Sequence, residues 1–577
     1  MSAPEHFIPG KDASLEASIA RLQGLLAERG FRLEEHAWLN PVADCWSLHL
    51  RDADCPLLYT NGKGGSQLAA RASALGEFIE RASCNHFWSH YHLGETLANH
   101  AFTHAPQERW FPLGDDEYWP YGLLDPALIA HYNPDGEVPA SHLVEHNSGN
   151  AARGICALPH VRQRDGETIW FPVNLIGNLY VSNGLAAGNT ANEARVQAIA
   201  EILERHVKFS VLREDLCLPE VPDAVVARYP RIAAGISALR DAGFGVRVQD
   251  ASLGGRFPVM AVTLLNPHDH GCYASFGAHP RFEVALERAL TELLQGRALE
   301  ALGGFPTPGF DPEEVADPQN IEIHFVDSSG VVGWRLLAGM PDFDFVDWDF
   351  AGTTADEFRQ LSETIHAAGH DLYIADFEHL GAYACRVLVP GMSEIYPVED
   401  LAWENNSVGN LLRPALRRLP DLDESDCEEL LETLDGLELA DERPVAALIG
   451  LAPDADSPWR TLRVGELRML LALAVGDHAS AAEACGWVNA FGQLDPGRAR
   501  VYRALEALLR LDAGENYAAA LSDLFGDDAV ATASALIKGH DRFFGLARLG
   551  SNFEGSRAHQ SLLDAYRKVW RIGPPAR

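Results

Sequence analysis

The sequence predicts a mixed α/β fold for its first 400 residues, followed by an all-helical part. The first observation is an alternation, up to about residue 400, of helical patterns with runs rich in β-branched and aromatic residues. The second is the scarcity of such runs after about residue 405, where amphipathic helical patterns follow one another. The strand-like runs are CWSLHL (45–50), FPVNLIGNLYVSNG (171–184), FPVMAVTLL (257–265) and YACRVLVPG (383–391), and the clearest helices are predicted at 68–83, 191–208 and 283–297.

The C-terminal helical patterns form two similar pairs, at 463–491 and 498–525. GDHASAAEA in the first pair aligns with AGENYAAAL in the second. Such pairs resemble tetratricopeptide-type repeats, which stack into concave surfaces that bind other proteins, although Ala- and Leu-rich helix pairs also occur in plain bundles. The sequence therefore predicts two domains: an α/β domain of residues 1–400 and a helical, tetratricopeptide-like domain of residues 401–577.

Composition argues against several classes of protein. The 577 residues carry a formal net charge of −36, so direct contact with nucleic acid or an anionic membrane is not expected, and a basic protein partner is favoured. Acidic surfaces are more often simply those that keep a protein soluble. No apolar run approaches the roughly 20 residues of a membrane-spanning helix, and no signal-peptide pattern opens the sequence, so we expect a cytoplasmic protein. Nine cysteines stand singly, which argues against a disulfide framework or an iron–sulfur site.

Carboxylates recur on three helices whose apolar spacing is that of core helices. The motif Glu-x-x-Glu-Arg occurs in ALGEFIERAS (74–83) and again in AIAEILERHV (198–207). Residues three or four apart share a helix face, so each helix aligns its polar side chains in one stripe. The stripes are Ser73, Glu77 and Glu80 on the first helix, Glu193, Gln197, Glu201 and Glu204 on the second, and Arg288 and Glu292 on the third.

A strand-like run and a turn of small residues precede each of these helices, in YTNGKGG, YVSNGLAAGNT and ASFGAHP. Such turns let backbone N–H groups approach an anion. Several carboxylates in one cleft repel each other unless cations lie between them, and Mg²⁺ commonly bridges carboxylates to nucleotide phosphates. The pattern predicts a metal–nucleotide site in which Arg205, Arg288 and a lysine contact phosphate. On a single helix the same pattern is more typical of a solvated face, and its recurrence on three helices favours the site.

Long runs of the sequence also resemble one known family, the YcaO family. The runs are FIPGKDASLEASIAR (7–21), TNGKGGSQLAARASALGEFIER (60–81), IGNLYVSNGLAAGNTANEARVQAIAEILER (176–205) and SFGAHPRFEVALERALTELLQGR (275–297). The resemblance extends over essentially the full length. It implies a YcaO-type ATP-binding α/β domain, Mg²⁺ ions held by glutamates, and chemistry in which ATP activates a peptide amide oxygen by phosphorylation.

The resemblance further implies roles for individual residues. The residues that match the family's Mg²⁺-associated glutamates are Glu77, Glu80, Glu201, Glu204 and Glu292. The residues that match its nucleotide-contacting positions are Lys11, Ser18, Ser73, Asn189, Glu193, Gln197, Arg205 and Arg288. No catalytic residue is assigned.

The end of the sequence departs from one branch of the family. Members that form azolines from peptides typically end in Pro-x-Pro-x-Pro, whereas this sequence ends in WRIGPPAR, which argues against cyclodehydration. The resemblance instead implies a homodimeric accessory factor in β-methylthiolation of an aspartate in a small-subunit ribosomal protein, acting beside a radical methylthiotransferase. The sequence has no C-x-x-x-C-x-x-C motif, so radical sulfur chemistry is expected of that partner. An ATP-dependent enzyme that activates peptide amides and an ATP-binding scaffold without turnover stay open as alternatives.

Two further patterns carry weak signals. His86, His90 and His92 have a spacing that metal sites use, but no Cys or Glu completes a zinc set nearby, and we interpret them as structural or surface histidines. NGKGG lacks the spacing of a Walker loop. Its Lys63, placed by the sequence in a flexible glycine turn without a fixed partner, is expected to contribute little to nucleotide binding.

Overall fold

The strands of the protein form three separate sheets in the computed structural model, which describes residues 5–115, 117–512 and 515–570. Within these ranges the strands are β1 (Leu33–Val42), β2 (Cys45–Asp52), β3 (Tyr59–Gly64), β4 (Arg109–Phe111), β5 (Ile155–Arg162), β6 (Thr168–Pro172), β7 (Leu185–Gly188), β8 (Gly245–Asp250), β9 (Val259–Leu265), β10 (Cys272–Ala278), β11 (Tyr373–Phe377) and β12 (Tyr383–Leu388). The sheet orders are β1-β2-β3, β10-β9-β8 and β4-β5-β11-β12-β7, with β6 paired to β5. All pairings between these strands are antiparallel.

Helices cover the sheets and make up the C-terminal part. The α-helices are α1 (Leu15–Glu28), α2 (Gln67–Ser83), α3 (Glu95–Ala98), α4 (Pro126–Tyr132), α5 (Val173–Leu175), α6 (Ala191–Arg213), α7 (Asp223–Val226), α8 (Pro230–Asp241), α9 (Phe282–Leu294), α10 (Pro312–Ala316), α11 (Pro318–Val326), α12 (Thr354–Ala367), α13 (Asp400–Trp403), α14 (Gly409–Leu416), α15 (Glu424–Gly436), α16 (Val445–Leu448), α17 (Val464–Ala474), α18 (His478–Phe491), α19 (Pro496–Arg510), α20 (Ala518–Phe525), α21 (Asp527–Ile537) and α22 (Arg557–Val569). The predicted fold class, α/β followed by a helical part, is confirmed.

The three carboxylate-bearing helices form where the sequence predicts them, as α2, α6 and α9. The first two begin at capping residues: the Ser66 side chain accepts a hydrogen bond from the Ala69 amide, and the Thr190 side chain accepts one from the Glu193 amide. These bonds satisfy backbone donors that a helix leaves free at its start. Each helix packs on two sheets, so the three meet between the sheets: α2 contacts β3 and β7, α6 contacts β12 and β10, and α9 contacts β10 and β3.

The predicted strand at 171–184 is wrong beyond its first two residues. Strand β6 ends at Pro172, and the chain then turns through α5 into a π-helix at Ile176–Tyr180. The apolar run is mostly buried and its burial does not follow a two-residue period, and a short run of this kind does not distinguish helix from strand. The other three predicted strands form as β2, β9 and β12.

The expected flexible glycine turn around Lys63 is also wrong. Residues Tyr59–Gly64 form β3, which pairs with β2 in register Lys63↔Ser47. Glycine serves close packing here, because a Cβ on Gly62 would lie 2.1 Å from the backbone oxygen of Ala70 on α2. Lys63 is therefore held on a paired strand beneath α2.

The order α1-β1-β2-β3-α2 recurs as α8-β8-β9-β10-α9, and the two units pack alike. The Thr60 hydroxyl donates to the Ala74 carbonyl at 2.9 Å, and the Ser275 hydroxyl donates to the Ala289 carbonyl at 2.8 Å. Both pairs are related by the same shift of 215 residues, from 60 to 275 and from 74 to 289. The first and third carboxylate helices thus occupy equivalent places in a structural repeat.

The C-terminal part has its own apolar core, drawn from residues between Leu412 and Phe553. The predicted helix pairs form as α17–α18 and α19–α20, whereas their likeness to tetratricopeptide repeats and the boundary at residue 400 stay predictions. The last helix, α22, leaves this core and packs its apolar face against α2 and neighbouring residues of the N-terminal part. The proline-containing tail lies outside the described residues, which end at 570.

The cysteines form no disulfide bonds, and the helices are not of the membrane-spanning kind in the described parts of the chain. All nine cysteines are free. In the described parts of the chain, no helix combines the length and the apolar character needed to cross a membrane.

Candidate functional site

A cavity of about 740 Å³ lies between α2, α6, α9 and the segment before α1. Its volume is in the range of small-molecule and cofactor sites. All of the site residues predicted from the sequence line it: Lys11, Ser18, Ser73, Glu77, Glu80, Asn189, Glu193, Gln197, Glu201, Glu204, Arg205, Arg288 and Glu292. Their individual roles toward metal or nucleotide stay predictions.

One end of the cavity is a connected polar network at the start of α6. Glu193 is 4% exposed. Its carboxylate accepts a hydrogen bond from the backbone N–H of Asp12 at 2.9 Å and one from the side-chain Nδ2 of Asn189 at 3.0 Å. Lys11 Nζ lies 3.3 Å from the same carboxylate, and the Ser18 hydroxyl donates to Asn189 Oδ1 at 2.9 Å. The network fixes the segment before α1 against the start of α6.

Arg288 on α9 reaches across to α6. Its Nη1 donates to Gln197 Oε1 at 2.6 Å, and its Nη2 lies 3.8 Å from Glu204 Oε2. Glu204 also accepts a hydrogen bond from the Ala278 amide at 3.3 Å. The guanidinium is thus placed between an amide and a carboxylate of the predicted stripe.

Arg205 and Glu201 form a pair along α6. The two residues are one helical turn apart, and Arg205 Nη1 lies 2.8 Å from Glu201 Oε1. The same nitrogen donates a hydrogen bond to Asn183 Oδ1 at 3.1 Å. The guanidinium carbon lies 4.7 Å from the ring centre of Phe325. These three contacts hold Arg205 at the turn that precedes β7.

The glutamates of α2 and α9 have basic partners as well. Glu77 lies 2.5 Å from Arg81 and accepts a hydrogen bond from the Asn61 amide at 3.2 Å. Glu292 is ion-paired with Lys63. The shift of 215 residues that relates the two repeats also relates Glu77 to Glu292, so the repeat places equivalent carboxylates in the cavity.

Glu80 differs from the other glutamates of the cavity. Its carboxylate has no hydrogen bond and no ion pair with any described residue. Burial, reinforced by the negative charges of Glu201 and Glu77, raises the pKa of Glu80 well above its ordinary value. Burial likewise raises the pKa of Glu77, against the opposing charge of Arg81. A buried carboxylate whose negative charge is destabilised in this way is stabilised by a bound cation. This is the property expected of a metal ligand.

The donor set suits a hard divalent cation, but it is not gathered into a ready metal site. Over the described ranges, no three His, Cys, Asp or Glu side chains converge closely enough to hold a metal ion. Four of the five predicted metal ligands instead contact basic side chains, which leaves Glu80 free. Carboxylate oxygens are the ligands that Mg²⁺ prefers, so metal binding here requires an exchange of ion-pair partners.

Sequence reasoning missed several cavity residues, of which Lys63 and Arg81 matter most. Burial lowers the pKa of the Lys63 ammonium to about 8, and the side chain contacts the predicted ligand Glu292. Arg81 follows Glu80 as Arg205 follows Glu204, so the repeated Glu-x-x-Glu-Arg motif itself was a signal for Arg81. The partner of Lys63 lies on a distant part of the chain, and no local pattern indicates it.

The histidines of NHFWSHYH lie beyond Glu80 rather than among the ligands. The rings of His86 and His90 meet edge to face with centroids 6.2 Å apart, and burial lowers the pKa of both. His92 is buried, and its ring packs against Phe553 of the C-terminal part. Their places fit the structural interpretation of these residues.

Two family models match this sequence. The first, described as YcaO cyclodehydratase, ATP- and Mg²⁺-binding, matches residues 61–393. The second, described as the YcaO cyclodehydratase C-terminal domain, matches residues 409–572. The first match contains the cavity-lining parts of α2, α6 and α9.

Two relatives agree with this match. The chain is 50% identical, over 98% of both chains, to the ribosomal protein S12 methylthiotransferase accessory factor YcaO of Escherichia coli. It is 46% identical, again over 98% of both chains, to a protein of Haemophilus influenzae.

Solved structures of lower similarity include a heterocyclase in complex with substrate and cofactor and a YcaO from Methanopyrus kandleri bound with AMPPCP and Mg²⁺. The match to the heterocyclase has a TM-score of 0.46 at 18% identity and covers 69% of this chain and 56% of the heterocyclase chain. The second has a TM-score of 0.40 at 19% identity and covers 68% of this chain and 93% of its own. On the family models and the Escherichia coli relative together, the chain belongs to the YcaO family.

Proposed function

We propose that this protein is an ATP- and Mg²⁺-dependent accessory factor in β-methylthiolation of an aspartate in a small-subunit ribosomal protein. The proposal includes ATP hydrolysis at the glutamate-lined cavity. The single observation that carries it is the convergence of thirteen residues, distant in the sequence, on one cavity. The name of the Escherichia coli relative, which covers almost the whole chain, supports the choice of process.

Within the cavity we assign phosphate binding to Lys11, Arg205 and Arg288. Guanidinium groups match phosphate oxygens with paired N–H donors, and Arg288 and Arg205 are held by Gln197 and Asn183 with further donors to spare. Ser18, Ser73, Asn189, Glu193 and Gln197 complete the proposed nucleotide contacts. The network around Glu193 keeps this surface in place before the nucleotide arrives.

The glutamates Glu77, Glu80, Glu201, Glu204 and Glu292 are proposed to hold Mg²⁺. When bound, Mg²⁺ supplies positive charge that stabilises charge developing on the phosphate oxygens. Glu80 has no partner to exchange, whereas the other four glutamates must give up their contacts with Arg81, Arg205, Arg288 and Lys63, which frees Arg205 and Arg288 for the phosphates. Metal and nucleotide binding are therefore expected to be mutually reinforcing.

The proposed partners are a radical methylthiotransferase and the basic ribosomal protein that it modifies. The net charge of −36 favours association with a basic protein, more strongly at low salt than at high salt. The proposal includes a cytoplasmic homodimer, as the family resemblance implies. The C-terminal helices are proposed to be the docking surface.

A second candidate is an ATP-dependent enzyme that activates a peptide amide. The description of the matching family model as a cyclodehydratase favours it. Both candidates use the same ATP site and differ in the acceptor. Mass spectrometry of ribosomal proteins from cells that lack this chain distinguishes them, since loss of a methylthio group from S12 is expected only for the accessory role.

The first prediction tests the glutamate site. Glu201→Gln and Glu204→Gln each remove a charge from the α6 stripe while keeping side-chain size, so each variant should lose Mg²⁺-dependent ATP hydrolysis and stay folded. Phosphate release by the purified variants measures the first effect, and circular dichroism the second. Glu214→Gln, at the exposed end of the same helix, is the matched control. If both cavity variants hydrolyse ATP at the parent rate, the α6 stripe has no role in ATP hydrolysis and the proposed glutamate site is wrong.

A further inference from the structure

Beside the cavity, near its lining residues Glu80 and Ser182, lies a buried guanidinium to which the proposed nucleotide site gives no role. Arg386 on β12 is 6% exposed. Strand β12 pairs with β7 so that Ala384 stands opposite Ala187 and Arg386 opposite Leu185. Alternate residues of a strand share a face, so Arg386 lies on the face of Ala187, which lines the cavity.

Most hydrogen-bond donors of Arg386 are not used by the protein. Its Nη1 donates to the Val181 carbonyl at 3.0 Å. No other hydrogen bond and no ion pair joins its guanidinium to a residue that the structure describes. The charges of Glu80 and Glu201 act on it without direct contact. A guanidinium carries five N–H donors, and a buried charge with free donors calls for an anionic partner.

The carbonyl that holds Arg386 belongs to a strained backbone. Val181 has φ 50° and ψ −115°, a conformation that is strongly disfavoured for a β-branched residue, and it ends the π-helix at Ile176–Tyr180. Ser182 lines the cavity, and Asn183 is fixed by Arg205 and by the Ser393 carbonyl. Strained residues and π-helices concentrate at functional sites, because surrounding contacts must maintain them.

Two buried histidines lie within the electrostatic reach of Arg386. The charges of Arg81, Arg386 and Arg205 all act on His86, and burial lowers the pKa of that imidazole well below its ordinary value. His160 on β5 is fully buried, is affected by the charge of Arg386, and has an Nε2 without a hydrogen-bond partner in the described chain. The imidazoles thus add polar surface without negative charge.

From this geometry we propose that the side of the cavity next to Arg386, between Glu80 and the Val181–Ser182 turn, binds a carboxylate of the acceptor substrate. The inference rests on the proposed ATP site and adds the class of group that receives its phosphate. The planar fork of Arg386 matches two carboxylate oxygens, whereas a neutral amide would leave its buried charge without an anion. If Glu80 and Glu201 hold Mg²⁺, the cation neutralises their negative charges, and these carboxylates no longer balance the positive charge of Arg386.

The corresponding transfer balances without an external base. A carboxylate oxygen attacks the γ-phosphorus of the nucleoside triphosphate and forms a new O–P bond. The bond from that phosphorus to the oxygen bridging it to the β-phosphate breaks, and the nucleoside diphosphate leaves with the electron pair. The product is an acyl phosphate, and no proton moves.

Three short peptides with acetylated N-termini test the acceptor class on the full chain. The first has one internal Asp and an amidated C-terminus, the second has Asn in its place and a free C-terminal carboxylate, and the third has Asn and an amidated C-terminus. Calorimetry measures their affinity for protein loaded with a non-hydrolysable ATP analogue, and hydroxylamine traps an acyl phosphate formed with ATP as a hydroxamate. Binding and hydroxamate from the first or the second peptide support the proposal and identify the carboxylate source. Equal binding of all three peptides, or no hydroxamate from any, overturns it.

Two variants assign the effect to Arg386. Arg386→Gln should weaken binding of the carboxylate peptide at least tenfold and change analogue affinity less than threefold, while Arg386→Lys, which keeps the charge but not the fork, should fall between. Arg413→Gln is the matched control, since Arg413 is also 6% exposed but donates to the Ile449 carbonyl in the C-terminal part, so its loss should lower Tm and leave peptide affinity unchanged.

The lysine variant decides the question if Arg386→Gln does not fold. Parent-like peptide affinity in Arg386→Lys together with parent-like hydroxamate yield would overturn the role of the fork. Failure of the parent chain to bind the ATP analogue would contradict the proposed function itself. Normal binding of the ATP analogue, together with equal affinity for all three peptides or no hydroxamate, would contradict only the carboxylate subsite.

Discussion

Arg288 and Lys63 both reach the cavity, and their different partners predict different effects on nucleotide binding. Arg288 contacts Gln197 and presents a planar fork, whereas the Lys63 ammonium is already paired with Glu292. Arg288→Ala should therefore weaken binding of a non-hydrolysable ATP analogue by about 10- to 100-fold, the loss expected for a charged hydrogen bond, and Lys63→Ala by less. Calorimetric titration measures both. Arg297→Ala, just after α9 and in contact with Tyr273, is the control, and a reversed order would place the phosphates at β3.

Lys208, one turn beyond Glu204 on α6, gives a pH-dependent prediction. Its ammonium is 5% exposed, donates to the His324 carbonyl at 2.7 Å and to Ser328, and burial lowers its pKa to about 8. Below pH 8 both folded and unfolded chains hold this proton. Between pH 8 and the ordinary value of 10.5 the unfolded chain still holds it while the folded chain has lost it, so stability rises with pH in that window.

The rise attributable to Lys208 amounts to about 3 kcal/mol at most, from 1.4 kcal/mol per pKa unit. Denaturant unfolding at pH 7.5 and pH 10 should show it in the parent chain, and Lys208→Met should reduce it. Lys538→Met, near the C-terminal end of α21, serves as the control. An unchanged slope in Lys208→Met would mean that the buried ammonium keeps its ordinary pKa.

At the level of single residues, local spacing accounts for what the sequence could predict. Glu77, Glu80, Glu201 and Glu204 were accessible because a helix converts spacings of three and four into a common face. Lys63 and Arg386 were not, because their environment is created by strand pairing and by elements far away in the chain.

At the level of elements, helices were easier to predict than buried strands. α2, α6 and α9 have caps or apolar spacing that extend over many residues, and their bounds agree with prediction within a few residues at most ends. The run 171–184 is mostly buried and gave no period to distinguish a strand from α5 and the π-helix. Pairing order and the shift of 215 residues between the two repeats depend on contacts that no local pattern contains.

The repeat predicts equivalent costs for two glycine substitutions. A Cβ at Gly62 would lie 2.1 Å from the Ala70 oxygen, and one at Gly277 would lie 2.4 Å from the Ala285 oxygen, so backbone must move in both cases. Gly62→Ala and Gly277→Ala should each lower the free energy of unfolding by about 1–3 kcal/mol or more and weaken nucleotide binding, because α2 and α9 shift.

Gly24→Ala is the matched control for these variants. Gly24 lies within α1, and a Cβ there meets no atom within 4 Å. The change should raise stability by about 1 kcal/mol, since alanine favours a helix interior more than glycine does. Thermal unfolding compares the three variants, and a neutral Gly62→Ala would show that the α2–β3 approach is looser than described.

At the level of the whole molecule, the sequence separated an α/β part from a helical part but did not indicate where the last helix packs. Leu562, Leu563, Tyr566 and Val569 of α22 lie in the core that contains Phe78 of α2. Trp88 Nε1 donates to the Leu562 carbonyl at 3.1 Å, a contact across 474 residues. A fragment of residues 1–400 contains every predicted ligand but lacks α22, so it should be less stable than the full chain and bind nucleotide poorly.

Two substitutions in the full chain test this dependence without truncation. Leu562 on α22 is fully buried beside the N-terminal part, and Leu536 on α21 is 1% exposed within the C-terminal core. Leu562→Ala and Leu536→Ala should each cost about 2–5 kcal/mol, because both leave a cavity. Only Leu562→Ala should also lower affinity for a non-hydrolysable ATP analogue, since the core it weakens includes α2, which carries Glu77 and Glu80. Equal analogue affinity in the two variants would show that the nucleotide site does not depend on α22, and the fragment of residues 1–400 would then be expected to bind ATP unaided.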